Sequence, residues 1–306
     1  MDVRWTQFDQ IADEITAFTG LPAEEVRLRL RNQMTGKGNV PSDLARFGVT
    51  PHHYDEAMER LYRESYGFIF ETLAFQAEPA RRSWTVRALE RMRRHAEKCG
   101  VKNGELKVLM LGDGTGGDSM ALCAAGFNVD YFDIPGSKTF AFAIERFRHY
   151  GLIDNGVRIV HNYAECLTGD YDVVMSFELL EHLTDPLRSI KEIGIMLKRG
   201  GLALITEAFG VIGENNPTHL SCNYRFRRLT PYLFLKAGMV LTWYNRECLC
   251  KPMEFTKISG YRVAKYFPLM CCSVIENTAY PYVAFFKKPQ VLKRLSGKIA
   301  SIIVRR

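Results

Sequence analysis

Long apolar runs are missing from this chain of 306 residues. No stretch approaches the roughly 18 to 20 apolar residues that a membrane-spanning helix needs, and no cationic start followed by an apolar run marks a secretory signal. The eight cysteines form no CxxC pair and show no cysteine–histidine spacing typical of zinc. We therefore predict a cytoplasmic protein with no membrane span, free buried thiols and no metal ion.

Acidic residues are missing from the C-terminal end. Residues 286–306 contain seven lysines and arginines and no acid, whereas the whole chain carries a formal net charge of +7. The rest is about neutral, which argues against a nucleic-acid surface because such binding rests on phosphate neutralisation. An apolar helical stripe in this tail suits a membrane-surface helix or docking onto the body or a second subunit. We favour docking, and a homodimer is possible.

Residues 1–100 show helical spacing and no convincing strand. The pattern predicts four or five helices, with a loop at 35–41, one long helix from Pro51 towards Phe75, and a last helix from Ala80 to Cys99 that ends at Gly100. We predict that residues 1–100 form a helical lid or accessory domain. Residues 101–287 would then form the catalytic domain, and 288–306 the basic amphipathic tail.

From Leu106 onwards the pattern changes to short apolar strands that alternate with helices. The first strand, LKVLMLG, is stopped by glycine, and further strands are predicted at NVDYFD, VRIVHN, DVVMSF, LALITEA, MVLTWYN and finally YPYVAFF. Such alternation predicts right-handed crossovers and a mostly parallel, doubly wound sheet. The predicted fold class is therefore α/β and Rossmann-like, with an all-helical N-terminal segment.

A glycine loop and an acid mark a nucleoside site. Gly112, Gly114 and Gly116 stand between the first strand and a helix, where glycine permits positive φ and close approach of a ligand. Asp133 ends the next strand, the position from which a carboxylate accepts hydrogen bonds from a ribose diol. A helix cap or an ordinary strand-end acid is the alternative for Asp133.

With VLMLGDGTGG, Asp133, the string DVVMSFELLEHLTDP and the later LKRGGLALITEA, the chain resembles the class I methyltransferases that depend on S-adenosylmethionine (SAM). The resemblance covers residues 107–210 well and continues more loosely to 287. It implies SAM as the cofactor. The resemblance implies that Gly112 and Gly114 lie beside the methionine and ribose portions of SAM and that Asp113 lies near its ammonium group. Asp133 would bind the ribose hydroxyls. Phe177 and Glu178 would line the methionine end.

The resemblance also places the loop 162–165 beside the adenine. Tyr163 stands where the family often has an aspartate that reads the adenine amino group, and a tyrosine cannot accept hydrogen bonds like a carboxylate. Glu165 could instead accept from the adenine amino group, and Ala164, which lies between Tyr163 and Glu165, would also flank the adenine.

The candidates for catalysis are Glu178, His182 and His219, because a base is needed when the acceptor is protonated. The Asn/Asp-Pro-Pro-Tyr/Phe string of many adenine N-methyltransferases is missing after the fourth strand, so DNA-base methylation is not expected. Aromatic residues of the N-terminal segment are expected to pack in its core or to wall the site: Tyr54, Tyr62, Tyr66, Phe68 and Phe70. The arginines between 81 and 94 are expected on a solvated helix face.

Three functions stay open. The first is methyl transfer to a small molecule or glycan intermediate, as in small-molecule biosynthesis. The second is a SAM cyclase, in which the α-amine attacks the γ-carbon to give azetidine-2-carboxylate and methylthioadenosine; it would need a closed pocket without space for an acceptor. The third is a SAM-fold binding subunit without catalysis.

Overall fold

Six helices precede the first strand in the part of the chain that we describe. The computed structural model describes residues 7–248, 251–258, 266, 269 and 271–273. The helices are α1 (Phe8–Thr19), α2 (Ala23–Met34), α3 (Asn39–Phe47), α4 (Glu56–Glu64), α5 (Gly67–Ala77) and α6 (Pro79–Cys99). α6 ends at Gly100 in the left-handed conformation, as predicted.

The long helix predicted from Pro51 towards Phe75 is wrong, because the chain breaks between α4 and α5. Ser65 is extended, and its hydroxyl accepts a hydrogen bond from the Gly67 amide at 2.8 Å and donates one to Asp43. Asp43 lies on α3, whose first three residues the sequence pattern had assigned to a loop. The break thus depends on a tertiary contact that helical periodicity does not reveal.

Seven strands form one sheet. They are β1 (Lys107–Leu111), β2 (Asn128–Phe132), β3 (Val157–Ile159), β4 (Tyr171–Phe177), β5 (Leu197–Thr206), β6 (Met239–Tyr244) and β7 (Met253–Lys257). Their order is β3-β2-β1-β4-β5-β7-β6, with β1 to β5 mutually parallel and β7 antiparallel to both of its neighbours. The mostly parallel, doubly wound Rossmann-like sheet is confirmed, and its order reverses between β1 and β4.

The remaining helices cover both faces of this sheet. They are α7 (Gly117–Ala124), α8 (Lys138–His149), α9 (Pro186–Met196) and α10 (Thr230–Lys236). β7 was not predicted, and the predicted strand YPYVAFF and the basic tail lie outside the described residues. Within those residues, no helix combines the length and the apolar character needed to cross a membrane.

Helix α6 belongs to the layer that covers one face of the sheet. Trp84, Leu89 and Met92 share a buried cluster with Val108 of β1 and Leu204 of β5. Helix α6 is therefore packed against the sheet, and the boundary at residue 100 stays a prediction. All seven described cysteines are unpaired, but the expectation that they are buried is wrong for four of them: Cys99, Cys222, Cys271 and Cys272.

Candidate active site

A cavity of about 800 Å³ lies where the strand order reverses. Its floor is the carboxyl edge of β1, β2 and β4, and its other walls come from α5, the start of α6 and the segment that follows β5. Ligands of open α/β sheets bind at this edge, because the loops diverge at the point of reversal and leave a crevice. The glycine loop lines one part of this cavity, called below the cofactor half, and residues of α4 and α5 line another part, called below the half beneath α4 and α5.

Two of the three predicted glycines line this cavity. Gly112 and Gly114 have φ values of 77° and 59°, in the left-handed region that favours glycine. A Cβ atom on Gly112 would lie 2.9 Å from Leu179, so a side chain would displace the β4 loop. Gly116 is not in the wall: a Cβ atom there would lie 2.4 Å from the Phe147 ring, and its role is to let α8 pack closely.

Asp133 lies in the wall directly after β2. One carboxylate oxygen accepts the Gly114 amide at 2.6 Å, and the other accepts the Ile134 amide at 2.7 Å. Burial raises the pKa of this carboxyl, although both amides oppose the shift. Each oxygen keeps a further lone pair, so the carboxylate is positioned to accept the two hydroxyl hydrogen bonds that we predict for it.

Asp113 lines the cavity, and its carboxylate is bound by donors of the protein itself. Its carboxylate accepts the amides of Asp118 and Ser119 at 3.1 and 2.7 Å, together with the Ser119 hydroxyl and the Gln76 side chain. The donors of Asp118 and Ser119 lie at the start of α7, where an anion is stabilised by unpaired amides, whereas Gln76 lies on α5. The visible role of Asp113 is thus to hold the glycine loop against α7.

In the loop predicted to flank the adenine, only Tyr163 reaches the cavity wall. Its ring lies 5.2 Å from that of Phe132, and its hydroxyl donates to Glu192 at 2.7 Å. Ala164 and Glu165 are outside the wall, and Glu165 lies 3.6 Å from Arg158. This end of the cavity therefore offers the apolar ring faces of Phe132 and Tyr163 to a flat base such as adenine.

At the end of β4, Phe177 and Glu178 both line the cavity. Glu178 has a φ of 51°, which is strained for a residue other than glycine. Lys251 donates to its carboxylate at 2.6 Å. Burial alone would raise the pKa of Glu178, but Lys251 lowers it, and Glu178 in turn raises the pKa of Lys251. Glu178 is therefore held as an anion in an ion pair, which makes it unsuited to accept a proton.

Three site residues were missed by sequence reasoning: Lys251, Glu71 and Arg81. Arg81 is 4% exposed and forms an ion pair with Asp118 at the start of α7, so its assignment to a solvated face is wrong. Its guanidinium also lies 5.1 Å from the Phe177 ring centre. Nothing in the helical spacing of α6 distinguishes it from its exposed neighbours, because the partner comes from another element.

One face of α5 forms the roof of the cavity. Phe68, Glu71, Thr72 and Phe75 recur at spacings of three and four residues and all line it. Burial raises the pKa of the Glu71 carboxyl to about 7. A carboxyl with that pKa can take up a proton near neutral pH.

Aromatic side chains of α4 and α5 close the roof. Tyr62 stacks on Phe68 at 4.7 Å, and Tyr54 lies beside them in the wall. Tyr66 and Phe70 pack instead with the core of α1 and α2. Three of the five aromatic residues expected to wall the site or fill the core thus line the cavity.

His182 and His219 lie together in the half of the cavity beneath α4. Their rings are 4.8 Å apart, and the Tyr62 hydroxyl is 3.0 Å from Nδ1 of His182. Burial lowers the pKa of His182 to about 3, and it also lowers that of His219, so both imidazoles are neutral at physiological pH. Glu181 lies next to them and is 1% exposed.

Comparison with known proteins agrees with this geometry. Residues 54–252 match the family model described as a methyltransferase domain. A ubiquinone biosynthesis O-methyltransferase of Haemophilus ducreyi is 28% identical over 164 residues, which are 48% of this chain and 67% of that protein.

Two solved structures are similar to this chain. The DszA carbon methyltransferase is similar with a TM-score of 0.50 and 12% identity, over 78% of this chain and 71% of that one. Magnesium protoporphyrin IX methyltransferase from Synechocystis PCC 6803, solved with bound SAM, has a TM-score of 0.48 and 16% identity, over 68% of this chain and 100% of that one.

Proposed function

The chain belongs to the class I SAM-dependent methyltransferases, and from that premise we propose that it methylates a hydroxyl group of a small organic molecule. The observation that carries this proposal is the cavity of about 800 Å³, which continues from the glycine loop into an aromatic half beneath α4 and α5. That volume lies in the upper part of the range for small-ligand sites. It provides room for an acceptor beside the cofactor, whereas a cyclase needs no such room.

The cofactor half fits SAM. Gly112 and Gly114 leave the backbone open, Asp133 offers a carboxylate, and Tyr163 offers a ring face. SAM supplies a methyl group that its sulfonium already activates. The protein therefore has to hold the acceptor in line with that methyl group, exclude water and, for a hydroxyl, remove one proton.

We assign the proton transfer to Glu71. Its carboxyl lines the roof between the two halves, next to Thr72, which would lie 3.5 Å from a Cβ atom on Gly114. With a pKa raised to about 7 by burial, it is a stronger base than an ordinary glutamate. The Haemophilus ducreyi relative is an O-methyltransferase, which also supports a hydroxyl acceptor.

The aromatic roof supports a flat acceptor. Tyr54, Tyr62 and Phe68 present ring faces, and Val211 adds an apolar contact from the segment after β5. Helices α4 and α5 would act as the lid that excludes water from the reacting groups. A small-molecule acceptor, rather than a nucleic acid, suits a site enclosed in this way.

Product analysis tests the proposal. The protein is incubated with SAM labelled in its methyl group, first alone and then with the fraction of a cell extract below about 1 kDa. We expect S-adenosylhomocysteine only when the extract is present, and the label bound to oxygen in one of its compounds. A matched reaction with Asp133→Ala, which removes the proposed ribose contact, should be slower at limiting SAM.

Two results would contradict the proposal. Methylthioadenosine formed from SAM alone would indicate cyclisation, and label that appears only in macromolecules from the complete extract would exclude a small acceptor. Label found on carbon or nitrogen would retain methyl transfer and reject the hydroxyl acceptor.

A further inference from the structure

A buried carboxylate without a partner lies beside the two histidines. Glu181 is 1% exposed, and neither of its side-chain oxygens has a hydrogen-bond partner among the described residues. Leaving a buried carboxylate unsatisfied costs several kcal/mol or forces it to take up a proton.

Both histidines direct Nδ1 at a backbone carbonyl. Nδ1 of His182 lies 3.1 Å from the carbonyl oxygen of Thr218, and Nδ1 of His219 lies 2.7 Å from that of Val211. A carbonyl can only accept, so Nδ1 of His219 carries the proton and its Nε2 keeps the lone pair. His182 has the same tautomer when its Nδ1 donates to Thr218 instead of accepting from the Tyr62 hydroxyl, which lies 3.0 Å away. Histidine ligands of metal sites make this same contact to a carbonyl or carboxylate.

The two segments that carry these groups are tied together. The Leu220 amide, next to His219, donates to the Glu181 carbonyl at 3.0 Å, and the Asn223 side chain donates to the same oxygen at 3.1 Å. The potential ligand atoms of Glu181, His182 and His219 lie within 4.8 Å of one another. Zinc ligands at about 2.1 Å from the ion lie about 3.4 Å from one another, so the largest of these separations has to contract by about 1.4 Å.

We propose that Glu181, His182 and His219 form a binding site for one divalent transition-metal cation at the acceptor end of the cavity. Two imidazoles and one carboxylate are a ligand set of zinc and iron(II) sites, and they leave coordination positions open. Since His182 and His219 line the cavity, the open positions face the place assigned to the acceptor. An acceptor oxygen is a suitable additional ligand there. In this role the histidines are ligands rather than the bases predicted from the sequence.

Direct metal binding tests the site without any methyl transfer. The full chain is stripped with a chelator and titrated with CoCl₂, whose visible absorption reports nitrogen and oxygen ligands and whose near-ultraviolet bands report cysteine thiolates. The variants are Glu181→Gln, His219→Ala and, as a matched control, His149→Ala, an exposed histidine at the end of α8. Melting temperature and SAM binding verify that each variant is folded.

We expect one Co²⁺ per chain with nitrogen–oxygen absorption, binding at least tenfold weaker in Glu181→Gln and His219→Ala, and no change in His149→Ala. No saturable binding, a thiolate spectrum, or two site variants that bind like the unmodified chain would each overturn the proposal. Because SAM and acceptor play no part in the titration, its failure leaves the proposed methyl transfer untouched, and a failed methylation leaves the metal site untouched.

Discussion

Three aspartates near the glycine loop show that a residue's role depends on what its oxygens contact. Asp113 is satisfied by donors at the start of α7. Asp130, on β2, is bound by Arg158 and by the Tyr171 hydroxyl. Asp133 accepts one amide on each oxygen and faces the cavity. Of the three, Asp133 is the one that retains accepting capacity for a ligand in the cavity.

Replacing Asp133 with alanine should weaken SAM binding at least tenfold. A charged carboxylate that accepts two hydroxyl hydrogen bonds contributes about 1.5 to 3 kcal/mol for each, and a tenfold loss corresponds to about 1.4 kcal/mol. Isothermal titration calorimetry measures the dissociation constant. Asp130→Ala is the matched control, because it removes a carboxylate from the same strand outside the cavity wall. Equal affinities in the two variants would contradict the site.

Strand ends made Asp133 and Glu178 predictable from the sequence, because parallel strands present their carboxyl ends at one edge, and the family resemblance added Phe177. The same reasoning could not find Lys251 or Arg81. Lys251 precedes β7, a strand that was not recognised, and Arg81 resembles every other arginine of α6 until Asp118 is packed against it. Sequence periodicity predicts where a residue lies along a helix or strand. It does not predict which residue of another helix or strand will form an ion pair with it.

At the scale of helices and strands, the alternation of the two was predictable from the sequence, but the place of a strand in the sheet was not. The alternation of strands and helices from β1 to β6 follows from apolar runs and glycine stops. β7 inserts antiparallel between β5 and β6, so its neighbours in the sheet are not both its neighbours in sequence. Its five residues, MEFTK, include a buried glutamate, Glu254, that pairs with Arg91 and hides the apolar alternation.

Helix α6 should depend on Arg81 for its attachment to α7. Replacing Arg81 with methionine leaves Asp118 buried without its cation, which costs about 3 to 5 kcal/mol in a buried pair. Urea denaturation measures the free energy of unfolding. The matched control, Arg93→Met, changes an exposed arginine of the same helix and should alter that free energy by less than about 0.5 kcal/mol.

A double variant separates the charge effect from packing. Arg81→Met combined with Asp118→Asn removes both charges and should recover more than about 1 kcal/mol of the loss. No recovery would mean that Arg81 stabilises α6 through its contacts with Phe75, Trp84 and Phe177 instead.

At the scale of the whole molecule, the cavity exists only because distant parts of the chain meet. Arg146 of α8 joins Glu14 of α1 to the Thr115 carbonyl in the glycine loop, at 2.8 and 2.9 Å. The His52 amide donates to the Pro217 carbonyl at 2.7 Å, which joins the N-terminal segment to the loop after β5. The N-terminal helices and the sheet therefore build one site. A domain boundary placed at residue 100 from the sequence pattern does not reveal this.

The acid in the roof of this site should make the stability of the whole molecule depend on pH. Burial raises the pKa of the Glu71 carboxyl from its usual 4.5 to about 7 in the folded protein. Below pH 4.5 both states are protonated and burial costs nothing. As the pH rises from 4.5 to 7, the unfolded state loses its proton first, so the folded state loses stability relative to it.

Glu71→Gln removes this penalty, so it should raise the free energy of unfolding at pH 8 by about 1 to 2 kcal/mol. This figure allows for the partial exposure of the side chain to the cavity. At pH 4.5 we expect no gain. Chemical denaturation at both pH values measures the difference. Glu64→Gln, an exposed position in α4, is the control and should show no gain at either pH. A gain for Glu71→Gln that is equal at both pH values would show that packing, and not a buried charge, sets the energetics of the roof, and would remove Glu71 as the proposed base.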